Sequence, residues 1–308
     1  MADSLVRQLL EAGVHFGHKA SNWNPKMDPY IFGKKNGIHI VDVRATIKGL
    51  LLAKRFLTRT VAGGKDILFV GTKRQAKEIL ETNCGEAGQP YVTERWLGGT
   101  LTNFRTIRAR LKRLEELEAL MAGEDWAHYS KKMASQLQRE RRKIHRNLSG
   151  IRTMHNLPGA MVVIDVHREV NALREASKLG IPTVCLIDTD SDPDLADLPI
   201  PGNDDAMRGI EIIIKELCAA VAEGKTARAQ ADLQRKGDDS DRPRRRSSRA
   251  QFRAEDEEAS AAPAAEAPAT ESTPEPAAET PAAPAPEAPA PEASVSEETH
   301  EPAGRTAD

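Results

Sequence analysis

The sequence predicts an α/β protein: a parallel sheet covered by helices on both faces, an inserted antiparallel helical hairpin, and a disordered C-terminal tail. Three observations predict it. Short apolar runs of strand length alternate with stretches of helical periodicity, the pattern of a parallel sheet buried on both faces. Between residues 102 and 148 that alternation gives way to two long helical periodicities. Residues 254–308 are rich in Ala, Pro and Glu and hold none of the aromatic residues, so they cannot bury enough apolar surface to offset their ordering entropy.

The elements follow in order. Leu5 to Ala12 has helical spacing and stops at Gly13. A loop, His15-Phe16-Gly17-His18-Lys19, and a turn at Trp23-Asn24-Pro25 come next. Ile38-His39-Ile40-Val41-Asp42-Val43 alternates and is β-branched, so it reads as a strand. Residues 46–60 form a helix closed by Gly63-Gly64. Asp66-Ile67-Leu68-Phe69-Val70-Gly71 is a buried-type strand, residues 75–84 a helix with its stop at Gly85, and Tyr91-Val92-Thr93 a short strand. Ile107, Leu111, Leu114, Leu117 and Met121, then Tyr129, Met133, Leu137, Ile144 and Leu148, recur at threes and fours about a break at 122–125, which predicts a coiled-coil hairpin. After Leu157-Pro158-Gly159 the alternation resumes: a strand over 160–165, a helix over 170–179 ended by Gly180, a strand over 182–188 and a helix over 204–221. The domains are therefore an α/β unit (1–101 and 156–228), the hairpin (102–155) and a basic-then-acidic tail (229–308).

The chain has 308 residues with 44 Lys+Arg and 46 Asp+Glu, but this balance hides a split. The tail from residue 254 carries 14 acidic residues and one basic one, leaving 43 basic and 32 acidic residues in 1–253, a net of +11. Within 105–146 there are 12 Lys+Arg against 6 Asp+Glu. Such an excess points to an anionic partner, nucleic acid first. No apolar run approaches the roughly 18 residues of a spanning helix, so no membrane is expected. The N-terminal Met1-Ala2-Asp3-Ser4 has no secretory h-region. Three widely spaced cysteines, Cys84, Cys185 and Cys218, suggest no disulfide framework and fit a reducing cytoplasm.

Catalytic motifs fail in detail. A Walker loop needs Gly-x-x-x-x-Gly-Lys-Ser/Thr. Gly64-Lys65 is followed by Asp66 and has Arg59 where the opening glycine belongs, and Gly71 is separated from Lys73 by Thr72. His15-Phe16-Gly17-His18 resembles the His-x-Gly-His turn of nucleotidylyl-transfer enzymes, and Lys131-Lys132-Met133-Ala134-Ser135 their lysine signature. That turn follows a sheet strand in those enzymes, whereas here it follows a helix and the lysines sit in the hairpin. The run from Asp188 to Asp194 looks like a cation loop but has Pro193 and Pro199 at the positions that want Gly and Glu; it reads as a turn. No Gly-x-Ser-x-Gly occurs. No catalytic residue, cofactor or metal is assigned. The nucleic-acid candidates, chosen by charge and position, are Lys34, Lys73, Arg74, Arg95, Arg105, Arg108, Lys131, Lys132, Arg141 and Arg142. They suit phosphate and shape recognition rather than base readout.

Several blocks resemble one known family. They are His15-Phe16-Gly17-His18 with Trp23-Asn24-Pro25-Lys26-Met27, Gly37-Ile38-His39-Ile40-Val41-Asp42, Phe69-Val70-Gly71-Thr72-Lys73-Arg74-Gln75-Ala76 and Arg95-Trp96-Leu97-Gly98-Gly99-Thr100-Leu101-Thr102-Asn103-Phe104. Leu179-Gly180-Ile181-Pro182, Asp188-Thr189-Asp190 and Ile200-Pro201-Gly202-Asn203-Asp204-Asp205-Ala206 complete the set. In this order, over about residues 5–225, they resemble the family of the second ribosomal protein of the bacterial small subunit. Asp190, where the family usually has Asn, and Gly202 depart from its pattern. The resemblance implies a three-layer α/β/α sheet of flavodoxin-like topology with a protruding coiled-coil hairpin, and no catalysis. It implies a structural role in the small ribosomal subunit, contact with small-subunit rRNA, and anchoring of the large mRNA-binding protein built from repeated OB-folds. It says nothing of the tail. On charge alone, the acidic tail is expected to compete for the basic run 242–253 and to weaken RNA binding by the free protein.

Overall fold

The computed structural model describes residues 2–240 other than 124, 125 and 127. The chain divides into two units, Met1–Pro243 and Arg244–Asp308. The second unit, with the expected disordered tail, lies outside the described residues.

Helix α1 (Ala2–Glu11) precedes a small sheet of β1 (Phe16–Lys19), β2 (Ile31–Lys35) and β3 (Ile38–Val41). Its order is β1-β3-β2, and both pairings are antiparallel. The sequence predicts only the third of these strands. The β2–β3 hairpin turns on Asn36 and Gly37, with φ of 51° and 78°. Two residues of positive φ make the turn whose twist matches the flanking strands. The loop expected at His15–Lys19 is a strand instead: a short segment without clear alternation pairs because β3 offers it an edge.

The main sheet contains β4 (Ile67–Val70), β5 (Tyr91–Val92), β6 (Ala160–Ile164), β7 (Thr183–Ile187) and β8 (Leu198–Pro201). All neighbours are parallel, in the order β5-β4-β6-β7-β8. The sequence does not predict β8. Pro199 and Pro201 cannot donate to a ladder, and they are tolerated because β8 is an edge.

Strand alternation divides the core. Ile67 and Phe69, Val162 and Ile164, and Val184 and Leu186 face one side, under α1, α2 (Val43–Ala62), α3 (Arg74–Ala87) and α7 (Met207–Ser240). Leu68 and Val70, Met161 and Val163, and Cys185 and Ile187 face the other, under α6 (Val170–Leu179) and the start of α4 (Phe104–Ala122). The burial of every residue in β4, β6 and β7 is what makes these strands read as unbroken apolar runs. The three cysteines are free and buried.

Helix ends follow local chemistry. Asp42 caps α2, its side chain accepting from Arg44 N at 2.9 Å. Gly180 ends α6 in the left-handed region, as expected. The expected stop at Gly85 is passed, and α3 ends at Gly88, whose φ of 57° makes it the true terminator. Helix α7 continues to Ser240, beyond the end expected at residue 221. Between 227 and 236 nine of the ten residues are good helix formers (Ala, Arg, Gln, Leu, Lys), Asp232 being the exception, so propensity carries the helix where apolar periodicity has ended.

Helix α4 is followed by α5 (Lys131–Leu148), and the two are in contact: Arg113 of α4 meets Glu140 of α5 at 3.6 Å, while Arg152, just after α5, meets Glu118 of α4 at 2.6 Å. The expected seam is buried on α4 at Ile107, Leu111, Leu114 and Leu117. On α5 only Leu148 is buried, and Met133 is 53% exposed.

One carboxylate organises the loop that enters α4. Glu175 of α6 accepts from Trp96 Nε1 (3.0 Å) and from the amides of Gly99 (2.8 Å), Leu101 (3.0 Å) and Thr102 (3.2 Å). Burial alone would raise its pKa, but these hydrogen bonds outweigh it and hold the carboxyl below the ordinary range. A depressed folded pKa contributes stability above the unfolded value of about 4.3, lost as pH falls through the folded one. Glu175→Gln should therefore cost about 2–3 kcal/mol at pH 7, since hydrogen bonds to a charged group are the strong ones. Urea unfolding should show the gap between the two proteins narrowing as pH drops below about 4.

Candidate nucleic-acid interface

Two charged regions stand out: a crevice at the carboxyl ends of the parallel strands and a face of α5. The crevice lies where an open α/β sheet ordinarily binds its ligand, beside the point at which strand order reverses between β4 and β6. Lys73 follows β4, Asp165 follows β6, Asp188 follows β7, and Asp204 precedes α7. Lys73 Nζ lies 2.7 Å from Asp204 Oδ1, 2.6 Å from Asp205 Oδ1 and 3.8 Å from Asp165 Oδ2. Burial lowers the Lys73 pKa, but the hydrogen bonds to Asp204 and Asp205 outweigh it and leave it above the ordinary value. Burial pushes Asp204 up to about 7; its bond to Lys73 opposes this, and the nearby Asp188 and Asp165 carboxylates add to it.

His18 reaches the same crevice from β1. Its Nδ1 is 3.0 Å from Asp188 Oδ2, and its Nε2 is 4.0 Å from Asp190 and 3.8 Å from Asp205. The Asp188 carboxylate against the ring raises the imidazole pKa to about 9. Gly17 is required here. A Cβ on it would stand 2.5 Å from Thr189 Cγ2, and the close approach lets His18 N donate to Thr189 Oγ1 at 2.9 Å. The His-x-Gly-His spacing thus serves packing of β1 on the β7 loop. The five aspartates around it would repel a triphosphate. The acids further along the run are used elsewhere: Asp192 and Asp194 pair with Lys26 at 2.9 and 2.6 Å.

The second region is cationic. Arg139, Arg142, Lys143 and Arg146 recur at three and four along α5, so they share one face. All four are exposed and line an open hollow of about 600 Å³. Among the described residues none of the four is paired with a carboxylate. The acids of α4 and α5 are taken up elsewhere: Glu116 and Glu140 by Arg113, and Glu115 and Glu118 by Arg152. Lys131 and Lys132 occupy the first turn of α5, the positive end of its dipole, where cations are unfavourable unless an outside anion compensates.

The structure separates the candidates named from sequence. Lys34, Arg74, Arg95, Arg105, Lys131, Lys132 and Arg142 are exposed. Lys73 is not free: its side chain is 12% exposed and held by three aspartates. Arg108 is half-buried and donates to Met154 O at 3.2 Å, with His155 Nδ1 at 3.1 Å. Arg141 is also half-buried, with its Nε sealed from solvent. A doublet or triplet of basic residues does not say which member faces out. The helical period does, and stepping from Arg142 by threes and fours finds Arg139 and Arg146, with Lys143 alongside.

The fold and these surfaces define a basic α/β protein whose ligand crevice is closed by its own ion pairs and whose open cationic face is on a helix, the features of a scaffold rather than of a nucleotide enzyme. The family Ribosomal protein S2 matches residues 9–224. The chain is 63% identical over 225 residues to the small ribosomal subunit protein uS2 of Rhodopirellula baltica, covering 73% of this chain and 86% of the relative. It is 49% identical over 225 residues to uS2 of Syntrophobacter fumaroxidans, covering 73% and 82%, and 52% identical over 231 residues to uS2 of Salinispora arenicola, covering 74% and 82%. This chain belongs to the ribosomal protein S2 family. It is a structural ribosomal protein, not an enzyme. Among the described residues no helix is long and apolar enough to cross a membrane.

Proposed function

We propose that the chain is a constituent of the small subunit of the cytoplasmic ribosome that binds small-subunit rRNA chiefly through the cationic face of α5. The observation that carries this reading is the row Arg139, Arg142, Lys143 and Arg146, exposed, unpaired with acids among the described residues, and set on one face of α5 around an open hollow. Lys34, Arg74, Arg95, Arg105, Lys131 and Lys132 are the further phosphate contacts of this reading; Lys73 and Arg108 serve the fold. Neighbouring small-subunit proteins, among them the large mRNA-binding protein of repeated OB-folds, complete its partners.

The strand order supports a flavodoxin-like assignment: numbered along the chain, the five parallel strands run 2-1-3-4-5. In this reading residues 1–101 and 156–228 form the rigid α/β body, and 102–155 form a coiled-coil arm that presents the cations. Filter binding of the chain to small-subunit rRNA at 50 to 200 mM salt tests it. Affinity should fall steeply and linearly in log–log form, because phosphate neutralisation releases counterions. A flat salt profile would contradict it.

The tail acts against this attraction. Its 14 acids and single base repel rRNA, so a chain ending at residue 253 should bind RNA more tightly at 50 mM salt, by roughly 3- to 10-fold, with the difference vanishing near 500 mM. Equal affinities at low salt would remove the tail from the account.

A further inference from the structure

Nothing in the proposed rRNA contacts uses the crevice, yet it gathers polar groups from segments far apart in the chain. One ligand atom each from His18, Asp188 and Asp204 lies within 4.8 Å of the others. Asp188 and Asp204 are both 1% exposed. Buried carboxylates demand partners. Asp204 has Lys73. Asp188 accepts from the Thr189 amide on one oxygen, and its other oxygen faces the His18 ring at 3.0 Å.

The imidazole is the telling group. His18 Nδ1 is sealed from solvent and, despite its distance from Asp188, lacks the alignment of a hydrogen bond. A cation bound there takes the place of the proton that the ring and the Asp188 carboxylate otherwise share at this distance. The ring is also held in advance, since the His18 amide is fixed on Thr189 Oγ1 and Gly17 is pressed against the same side chain. The charged groups that surround it are Asp165, Glu169, Asp190 and Asp205 on the acidic side and Lys73 and Arg168 on the basic side. Lys73 is committed to Asp204 and Asp205, and Arg168 Nε to Thr72 at 3.1 Å. Negative charge remains in excess.

We propose that His18, Asp188 and Asp204 bind one divalent cation of the zinc class, with Asp190, Asp205 or water completing its shell. One imidazole among carboxylates selects Zn²⁺ over Mg²⁺ or Ca²⁺, which prefer oxygen alone. Bonds of about 2.0–2.2 Å require the three groups to close by roughly 1 Å or less. The ion ties β1 of the small sheet to the β7 loop and to the entry of α7, joining segments that no strand pairing links. Its role is structural, and it stabilises the fold by mass action.

The test uses the untagged full-length chain, stripped with chelator and titrated with Zn²⁺ followed by elemental analysis. One Zn²⁺ per chain and a raised melting temperature are expected, with no shift from Mg²⁺ at the same concentration. His18→Ala and Asp188→Asn should each weaken Zn²⁺ binding by more than about 10-fold, while His145→Ala, at an exposed histidine on α5, should leave it unchanged. X-ray absorption on the wild-type zinc complex keeps the proposal testable even if a variant fails to fold: it should show nitrogen and oxygen neighbours only. Absence of stoichiometric binding, a sulfur shell, or binding indifferent to His18 and Asp188 in folded variants would each overturn it.

Discussion

Replacing Arg139, Arg142, Lys143 and Arg146 together by glutamine is expected to weaken binding to small-subunit rRNA by roughly 100-fold or more at 50 mM salt. The expectation follows from geometry and charge. The four side chains share one helix face, and among the described residues no carboxylate competes for them. Each phosphate left without its cation should make the plot of log affinity against log salt shallower by about 0.7–0.9, so the full set should remove about 3 units of slope. Because all four are exposed, circular dichroism and the unfolding midpoint should barely change. Reversing Lys73 instead should act through stability, since its partners are Asp204, Asp205 and Asp165 inside the crevice. A quadruple variant that keeps both affinity and slope would place the RNA surface elsewhere.

Phe69→Ala should have the largest effect on the fold itself. Phe69 sits fully buried at the centre of β4, between Tyr91 of β5 and Val162 of β6. It packs into the cluster under α2, α3 and α7. Truncating a buried phenylalanine costs about 3–5 kcal/mol, the forfeited transfer energy plus the cavity left behind. Against a total stability of about 5–15 kcal/mol this is a large fraction. For a domain of this size it lowers the melting temperature by roughly 6–20 °C. Thermal and urea unfolding should agree on the loss, and an unchanged midpoint would mean that the β4 core is not the centre of the molecule.

The central parallel strands β4, β6 and β7 are legible in the sequence because each is buried on both faces, and a run such as Ile67 to Val70 then needs no alternation to be recognised. The small sheet is less legible, although Asn36-Gly37 is the strongest two-residue hairpin signal. Strand β8 hides behind Pro199 and Pro201, which argue against a strand everywhere except at an edge. Gly85 and Gly88 look alike in sequence, and only the left-handed backbone at Gly88 marks the real stop. Among the site residues, charge alone draws in Lys73 and Arg108, whose partners come from 131 and 46 residues away. Long-range pairing of that kind leaves no local trace. The crevice is half visible: His15–His18 and Asp188–Asp194 each stand out as motifs, but only the fold brings His18 onto Asp188.

The most direct measurement is sedimentation of a cell lysate through sucrose gradients at low and high salt, with the chain followed by immunoblot. Co-migration with small subunits and whole ribosomes at low salt, near one copy per subunit, is the predicted result. High salt should release part of it, and the quadruple α5 variant should leave the particles sooner. A chain that stays at the top of the gradient at both salts would contradict a ribosomal role for this protein.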